Sequence, residues 1–258
     1  MLNSDRLEEV FGLSGKLAIV TGGGTGLGFA MASCFSAAGA TVVITGRRFD
    51  ILRQAAARIG EGVFAEQHDV TDLTASAALL ARIEERHGPP AILVNNAGTH
   101  VKKPIEGHTL DDFQSILATH VEGAFALTQA VAPRMKSAGG GSILFTASMS
   151  SLIGMPNIVA YSAAKSAYLG MVRSLASELG PHNIRVNAIA PGWIETPMLQ
   201  AALSGDPARR NKILERTPQQ RFGKAEEVGW AAVYLSSPAA SFINGVVLPV
   251  DGGASIGF

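Results

Sequence analysis

Tyr161 and Lys165 lie four positions apart in the segment AYSAAKSAYLG, residues 160–170. On a helix this spacing puts both side chains on one face. A phenol with a pKa near ~10 exchanges protons poorly at neutral pH, but a nearby cation favours the phenolate and lowers that pKa. The spacing alone also suits a pair of surface side chains. If the pair has a chemical role, the spacing predicts a tyrosine that exchanges a proton with a substrate.

Ser148 lies thirteen residues before Tyr161 in the segment LFTASMSS, directly after a strand-like run. Its hydroxyl can donate a hydrogen bond. We expect it to hold a substrate carbonyl against the phenol.

Seven apolar runs supply the strands that must position these residues: KLAIVTG, ATVVITG, GVFAEQHDV, AILVNNAG, GSILFTAS, IRVNAIAPG and GVVLPVDGG. Most are continuous rather than alternating, which is typical of parallel strands covered on both faces. Helical stretches such as GLGFAMASCFSAAG and LDDFQSILATHVEGAFALTQAVAPRMKS separate them. The pattern predicts a single α/β domain over residues 1–258, with a doubly wound parallel sheet of about seven strands and helices on both faces.

Residues 195–227 interrupt this alternation, because the segment is polar, helix-biased and without a strand-like run. It follows the carboxyl end of a strand, where such sheets bind ligands. We therefore interpret it as a substrate lid.

The first strand ends in TGGGTGLG, residues 21–28, and a helix-like run follows. Gly22, Gly26 and Gly28 are expected to let the backbone turn tightly and approach a pyrophosphate at the N-terminus of that helix. Glycine also serves ordinary turns. The position after the first strand favours the dinucleotide interpretation.

The second strand, ATVVITGRRFD, ends in Arg47 and Arg48 with no acid at its tip. An Asp or Glu there is typical of NAD sites, since it binds the ribose 2′-hydroxyl. Two guanidinium groups instead favour a 2′-phosphate, and therefore NADP(H). A solvated turn is the alternative for these arginines. Asp50 is close enough in sequence to keep NAD(H) open.

With these motifs in order, the chain resembles the short-chain dehydrogenase/reductase family over nearly its whole length, from GKLAIVTGGGTGLG to LPVDGG. The matching pieces are TGGGTGLG (21–28), HDV (68–70), NNAG (95–98), Ser148, YSAAK (161–165) and PGWIET (191–196). The resemblance implies a Rossmann-type fold. It also implies an oxidoreductase that interconverts a secondary alcohol and a ketone.

The resemblance also implies residue roles. Tyr161 would give or take the proton of the substrate oxygen, and Lys165 would lower the pKa of that phenol and bind the nicotinamide ribose. Ser148 would orient the carbonyl. Asp69 would reach the adenine, with Ile194 and Thr196 at the nicotinamide carboxamide. With Arg47 and Arg48, the implied cofactor contacts are Thr21, Gly22, Gly26, Leu27, Gly28, Asp69, Val70, Asn96, Ala97, Gly98, Tyr161, Lys165, Pro191, Gly192, Ile194 and Thr196.

One position departs from the family's pattern. Family members commonly carry an asparagine in the helix that reads THVEGAF here, and this chain has His120. That asparagine is thought to hold a water in a proton relay from the lysine. A histidine can also donate and accept hydrogen bonds, so His120 is a candidate catalytic residue. A histidine that only packs in the helix is the equal alternative.

Basic residues near the expected substrate entrance would suit a carboxylate or a phosphate. They are Lys102 and Lys103 after NNAG, with Arg209 and Arg210 on the predicted lid; solvated surface charge is the alternative for each. The pieces FGLSGK, NNAG-x-x-x-K-K-P and RFGKAEEV are most similar to gluconate 5-dehydrogenases and related deoxygluconate dehydrogenases. A 3-oxoacyl-thioester (acyl-carrier-protein) reductase and a non-catalytic dinucleotide-sensing protein are the alternatives.

The composition argues against other partners. Lys+Arg and Asp+Glu balance at 21 each, so no overall charge attracts nucleic acid or an anionic membrane. The N-terminus is acidic where a signal peptide would be basic, and no window of 18 apolar residues occurs, which predicts a cytoplasmic protein. We expect an inert thiol at Cys34. No metal is expected, since the other histidines show no ligand spacing: His68, His87, His100, His108 and His182. Of these, His100 merits attention because it follows NNAG.

The assembly is predicted from apolar surface. The long helix around residues 110–136 and the helix with Tyr161 would each have a second apolar face, and the C-terminus GVVLPVDGGASIGF is apolar. Together with the resemblance, this predicts a homotetramer.

Overall fold

Seven strands form one parallel sheet in the computed structural model, which describes residues 4–196, 199–200 and 203–257. The strands are β1 (Leu17–Thr21), β2 (Thr41–Gly46), β3 (Val63–Gln67), β4 (Pro90–Asn95), β5 (Gly141–Thr146), β6 (Ile184–Pro191) and β9 (Val247–Val250). They lie in the order β3-β2-β1-β4-β5-β6-β9. All seven correspond to the predicted apolar runs. The fold class predicted from the sequence is therefore confirmed.

Helices connect the strands and cover both faces of the sheet. They are α1 (Ser4–Phe11), α2 (Gly26–Ala37), α3 (Phe49–Ile59), α4 (Ser76–His87), α5 (Leu110–Leu117), α6 (Gly123–Ser137), α7 (Val159–Leu179), α8 (Pro207–Arg216) and α9 (Ala225–Ser236). None of the helices in the described ranges combines the length and apolar character that crossing a lipid bilayer requires.

The two faces of the sheet belong to two separate apolar clusters. Along β1, Ala18 and Val20 pack into one cluster, while Leu17 and Ile19 pack into the other. All five residues of this strand are buried. Burial on both faces explains why the strands read as continuous rather than alternating apolar runs. Cys34 is buried on α2, where its sulfur packs against α9.

The order of the strands reverses at β1, which pairs with β2 on one side and β4 on the other. Connections after β1 and β4 therefore leave in opposite directions and open a crevice at their carboxyl ends. The glycine loop 21–28 follows β1, and the NNAG loop 95–98 follows β4. The topology places both loops at this crevice.

Two segments differ from the prediction. The stretch predicted as one helix over residues 110–137 contains a π-helical turn, Ala118–Glu122, between α5 and α6. The segment 195–227 was predicted to lack strands, and this is wrong. A two-residue strand β7 (Ile194–Glu195) pairs with β8 (Gly223–Lys224), outside the main sheet. Strands this short leave no apolar run in the sequence.

Candidate active site

Tyr161 and Lys165 lie one turn apart near the start of α7 and share a face. The ammonium nitrogen of Lys165 lies 5.6 Å from the centroid of the Tyr161 ring and donates a hydrogen bond to the carbonyl of Thr146 at the end of β5. Lys165 is buried, whereas Tyr161 is half-buried. The lysine is therefore held beneath the phenol by the sheet, and the phenol reaches the surface of the crevice.

The pKa values of the pair depart from the sequence-based expectation. Burial lowers the pKa of Lys165 to about 7, since the charged form is poorly solvated there. The pKa of Tyr161 is raised by burial, while its hydrogen bond with Ser148 acts in the opposite direction. The expectation that the cation lowers the pKa of this phenol is therefore wrong for the chain alone. Loss of solvent around the phenol outweighs the opposite effect of Ser148.

Ser148 follows β5 and caps a short 3₁₀ turn, Met149–Ser151. Its Oγ accepts a hydrogen bond of 3.1 Å from the backbone N–H of Ser150. The hydroxyl proton of Ser148 is thus available for donation, and Ser148 lies close enough to Tyr161 to act against the rise of the pKa of that phenol. The structure thus brings Ser148, Tyr161 and Lys165 together from the end of one strand and the first turns of one helix.

His120 lies in the π-helical turn, a local widening that often occurs at functional sites. Its ring stands edge-on to Tyr161, with centroids 5.5 Å apart and an interplanar angle of 87°. Its Nε2 is 2.8 Å from the carbonyl oxygen of Thr99 and 3.1 Å from the N–H of Thr99. Its Nδ1 is buried and has no hydrogen-bond partner among the described residues. Burial, followed by the charge of Lys165, lowers the pKa of His120 to about 3.

Gly98 and His120 are matched in shape. A Cβ placed on Gly98 would lie 2.3 Å from the Cε1 atom of His120. The imidazole therefore packs directly against the backbone of the NNAG loop. On the other side of the turn, the hydroxyl of Tyr168 donates a 2.8 Å hydrogen bond to the carbonyl of His120. His120 is held between these contacts.

The NNAG loop is also tied to the glycine loop. The hydroxyl of Thr21 donates to the carbonyl of Val94 and accepts from the N–H groups of Asn96 and Ala97. The amide of Asn96 donates to the carbonyl of Thr21 at 2.9 Å. Asn96 thus joins the ends of β1 and β4.

The glycine loop leaves room that side chains would fill. Gly22 has a φ of 66°, and a Cβ on it would lie 3.0 Å from Ala97. A Cβ on Gly28 would lie 2.2 Å from the carbonyl oxygen of Gly22. Gly28 therefore lets α2 approach the end of β1, whereas Gly26 has open space around it. Leu27 packs against the core below.

The N-terminus of α2 suits an anion. Thr25 precedes the helix without a side-chain hydrogen bond to it, and the first turn carries no acid. By contrast, Thr109 and Asp112 cap the N-terminus of α5 fully. Unsatisfied N–H groups and the helix dipole favour a phosphate at such a terminus. Together with the close approach at Gly28, the loop fits a dinucleotide pyrophosphate.

Charged residues surround the tip of β2. Arg47 and Arg48 are exposed, and neither forms an ion pair with a carboxylate in the part of the chain that the structure describes. Asp50 lies 3.5 Å from Arg53 on the exposed side of α3. The pKa of Asp69 is lowered, first by the N–H of Thr71 and also by the charge of Arg47. Both guanidinium groups are exposed and could bind a phosphate.

The remaining predicted cofactor residues lie at neighbouring strand ends. Val70 is buried three residues beyond β3, and Pro191 ends β6. Gly192 packs against Asp251, where a Cβ would lie 2.7 Å from the Asp251 Cα. Ile194 is buried in β7, and Thr196 accepts a hydrogen bond from the N–H of Leu199.

The basic residues predicted at the substrate entrance separate into two kinds. Lys103 is engaged in a 2.7 Å ion pair with Asp112, whereas Lys102 is exposed and forms no ion pair within the described ranges. Arg209 and Arg210 lie on α8, and the guanidinium of Arg210 stacks over Phe222, 5.6 Å from the ring centroid. The sequence shows the charges but not these partners.

His100 is a second imidazole next to the phenol. Its ring centroid is 5.5 Å from that of Tyr161, at 66°, and the side chain is exposed. From the sequence, His100 was noted only because it follows NNAG; its contact with Tyr161 was not predicted. Among the described residues, no group of three or more His, Cys, Asp or Glu is placed to hold a metal ion.

Comparisons with known proteins identify the family of this chain. A family model described as enoyl-(acyl carrier protein) reductase, of the short-chain dehydrogenase type, matches residues 22–255. The gluconate 5-dehydrogenase of Gluconobacter oxydans is 38% identical over 251 residues, covering 96% of this chain and 98% of that protein. A gluconate 5-dehydrogenase from Burkholderia cenocepacia, solved with NADP and tartrate, is 33% identical with a TM-score of 0.93, over 98% of this chain and 100% of that one.

A third similar protein acts on a different kind of molecule. A 7α-hydroxysteroid dehydrogenase, solved with NADH and 7-oxo glycochenodeoxycholic acid, is 38% identical with a TM-score of 0.91, covering 98% of both chains. Similarity is thus as high to a steroid dehydrogenase as to a sugar-acid dehydrogenase. The substrate must be argued from the site.

Proposed function

The chain belongs to the short-chain dehydrogenase/reductase family, and we propose that it is an NADP(H)-dependent enzyme that interconverts a secondary alcohol and a ketone on a sugar acid of the gluconate/5-ketogluconate class. The observation that carries the chemistry is the arrangement of Ser148, Tyr161 and Lys165, with the lysine buried beneath a phenol that reaches the crevice.

In alcohol oxidation, the bound cofactor supplies a hydride acceptor at C4 of its nicotinamide. Neutral Lys165, a form that its pKa of about 7 permits near neutrality, takes the proton of the phenol, and the resulting ammonium beneath the ring stabilises the phenolate. The phenolate oxygen of Tyr161 then takes the proton of the substrate hydroxyl as the hydride leaves the carbon and the carbon–oxygen double bond forms. Ser148, whose Oγ already accepts from the Ser150 N–H, donates a hydrogen bond to the oxygen that becomes the carbonyl.

The preference for NADP(H) rests on Arg47 and Arg48 at the tip of β2, since both are exposed and neither forms a salt bridge in the described ranges. A 2′-phosphate would form charge-assisted hydrogen bonds with them. The gluconate 5-dehydrogenase structure that contains NADP supports this preference. NAD(H) is the second candidate, because a similarly related structure contains NADH.

The sugar-acid substrate rests on Lys102, which is exposed on the loop that follows NNAG and has no ion-pair partner among the described residues. A carboxylate is its natural partner. The similarity to gluconate 5-dehydrogenases supports this class. Reduction of a 3-oxoacyl thioester is the second candidate; the matching family model is named for a reductase of another acyl-carrier-protein thioester, the enoyl form. A dinucleotide sensor without turnover is the third.

We also propose that His120 takes part in the proton path of Tyr161 and Lys165. Its Nδ1 is buried without a partner in the described chain, so a water or a proton donor there would satisfy it. Because its pKa is lowered to about 3, the imidazole acts in its neutral form.

Three further expectations stay proposals. The segment 195–227 is proposed as the substrate lid, and α8 occupies its centre.

A homotetramer is supported by the exposed apolar side chains of Phe125, Phe242 and Ile256, and a monomer in sedimentation at micromolar concentration would contradict it. The cytoplasm is the proposed location, which cell fractionation tests. That the protein binds neither nucleic acid nor a membrane also stays a prediction.

A spectrophotometric panel tests the function. It contains gluconate, related sugar acids, polyols, simple secondary alcohols and a 3-oxoacyl thioester, each with NADP(H) and NAD(H), and uses Tyr161→Phe as the blank. We expect turnover of gluconate or 5-ketogluconate that vanishes in the variant. Turnover of the thioester alone would keep the catalytic residues and contradict the sugar acid. Silence despite cofactor binding would favour the sensor.

A further inference from the structure

His100 is exposed beside the phenol. Its ring meets that of Tyr161 edge-on with centroids 5.5 Å apart, whereas His120, whose ring is at the same distance, is buried. Of the two imidazoles next to Tyr161, His100 is therefore the one that a substrate can reach.

The loop that carries His100 is anchored at both ends. Before it, Thr99 contacts the Nε2 of His120 through both its N–H and its carbonyl. After it, the N–H of Lys103 donates 2.9 Å to the carbonyl of Asn157, and the Lys103 ammonium pairs with Asp112 at 2.7 Å. Only three residues lie between these anchors, so the position of His100 is well defined.

The side chains of this short span alternate. Val101 packs against the small buried cluster of Ile116, Ala160 and Ala164. The two neighbours of Val101, His100 and Lys102, are exposed instead. The pKa of His100 is lowered, first by burial and then by the charge of Lys102. The imidazole is therefore neutral at pH 7 and presents both a donor and an acceptor.

We propose that His100 determines substrate specificity by hydrogen-bonding a hydroxyl group on the carbon next to the one that is oxidised. This rests on the proposed dehydrogenase activity, but not on the identity of the sugar acid. A neutral imidazole suits a hydroxyl, which both donates and accepts, while the carboxylate is left to Lys102. The enzyme would thus select polyhydroxylated substrates over isolated alcohols through one residue.

The test compares a vicinal diol with the matching monoalcohol. We would measure kcat/KM with 2,3-butanediol and with 2-butanol, each as both enantiomers, at saturating NADP+. The wild type should prefer the diol, and His100→Phe should lower the diol-to-monoalcohol ratio about three- to tenfold, the worth of one neutral hydrogen bond. Phenylalanine keeps an aromatic edge against Tyr161. His100→Asn restores a donor and an acceptor and should recover part of the ratio.

His182→Phe is the matched control, since His182 is exposed beyond the far end of α7 and the same side-chain change should keep the wild-type ratio. A wild type without diol preference, or a preference that survives in His100→Phe, would overturn the inference. Turnover of the diol but not of gluconate would instead contradict the sugar-acid substrate. The diol-to-monoalcohol ratio of kcat/KM would still decide the role of His100.

Discussion

Two regions meet at the carboxyl edge of the sheet, and they differ in whether their ionisable side chains are exposed to solvent or buried. The cofactor region comprises the glycine loop 21–28, the NNAG loop 95–98 and the tip of β2; its cations, Arg47 and Arg48, lie in solvent. The catalytic pocket comprises Ser148, His120, Tyr161 and Lys165, and its titratable groups are largely withdrawn from water. One region recognises a ligand by shape and exposed charge. In the other, burial favours the uncharged forms of His120, Tyr161 and Lys165.

The difference has an energetic reason. Close backbone packing at Gly28 costs nothing once glycine is present, and an exposed arginine stays solvated until a phosphate replaces its water. A buried lysine, by contrast, opposes folding because the interior disfavours its charge. Buried ionisable residues with shifted pKa values are typical of functional sites, where they take part in proton transfer. Replacement of the buried Lys165 by an apolar residue should therefore stabilise the protein, whereas substitutions in the cofactor region should not.

The largest effect is expected from Lys165→Met. Turnover should fall on the order of 10²–10⁴-fold, because the phenol loses its proton partner. The free energy of unfolding should rise by about 1–3 kcal/mol at pH 7, because a buried ionisable group is replaced by an apolar one of similar length. Denaturant titrations beside the activity assay check both. A variant that loses stability would show that the lysine's bond to Thr146 outweighs its burial.

The pH dependence of that difference follows from the lowered pKa. Below its ordinary value of 10.5 the unfolded lysine takes up a proton, while the folded one resists until pH falls to about 7. Stability is thus lost as the pH falls from about 10.5 to about 7. The advantage of the methionine variant should be largest at pH 7 and shrink toward pH 10, which denaturant titrations at both values measure.

Gly28→Ala tests the cofactor region. The added Cβ would lie 2.2 Å from the carbonyl oxygen of Gly22 and 2.6 Å from the amide nitrogen of Asn96, so the loop must move. We expect the Kd of NADP+ to rise about 10–100-fold and the free energy of unfolding to fall by about 1–3 kcal/mol. Calorimetric titration with NADP+ and thermal unfolding measure the two effects.

Gly170→Ala is its control, since a Cβ there meets no heavy atom within 4 Å of its position on α7. This variant should keep the wild-type Kd and gain about 0.5–1 kcal/mol of stability from the better helix former. Equal losses in both variants would mean that glycine at position 28 is not required by the close approach.

The same two regions show what the sequence reveals. The seven strands and the glycine loop depend on residues adjacent in sequence, so apolar runs and the spacing of Gly22, Gly26 and Gly28 predicted them. The i, i+4 spacing of Tyr161 and Lys165 likewise follows from one helix. The direction of the Tyr161 pKa was predicted wrongly, because the spacing shows the cation but not the burial that opposes it.

The surroundings of the pocket depend on contacts between distant segments. The π-helical turn at His120 is held by Tyr168 and by the backbone of Thr99, 48 and 21 residues away. Thr109 and Asp112 are recognisable as a capping pair, but that Asp112 also neutralises Lys103 is not. Such pairings arise only when the fold brings the loops together, so residue types alone left Lys102 and Lys103 equivalent.

Arg47→Asp sharpens the cofactor side. The ratio of kcat/KM for NADP+ to that for NAD+ should fall about 10–100-fold, because a charge-assisted hydrogen bond is replaced by repulsion of the 2′-phosphate. Arg53→Asp, the same change farther along α3 on an exposed side chain, should leave the ratio near that of the wild type. An unchanged ratio in Arg47→Asp would show that Arg47 does not read the phosphate.

The smallest effect is expected at His120, where the two regions touch. Its Nε2 cannot both donate to the carbonyl of Thr99 and accept from the N–H of Thr99, so each neutral tautomer satisfies only one of these contacts. The buried Nδ1 is then an acceptor in one tautomer and a donor in the other. A group that can exchange these roles suits a proton path, and its pKa of about 3 keeps it neutral at working pH.

His120→Ala should therefore lower kcat about tenfold while the Kd of NADP+ stays within about twofold. His120→Asn, which keeps a donor and an acceptor, should recover much of the turnover. Thermal unfolding separates this from packing, since removal of the ring from the backbone of Gly98 leaves space and should lower Tm in both variants. A histidine that only packs would lower Tm while kcat per folded molecule stays unchanged, and that result would rule out the relay.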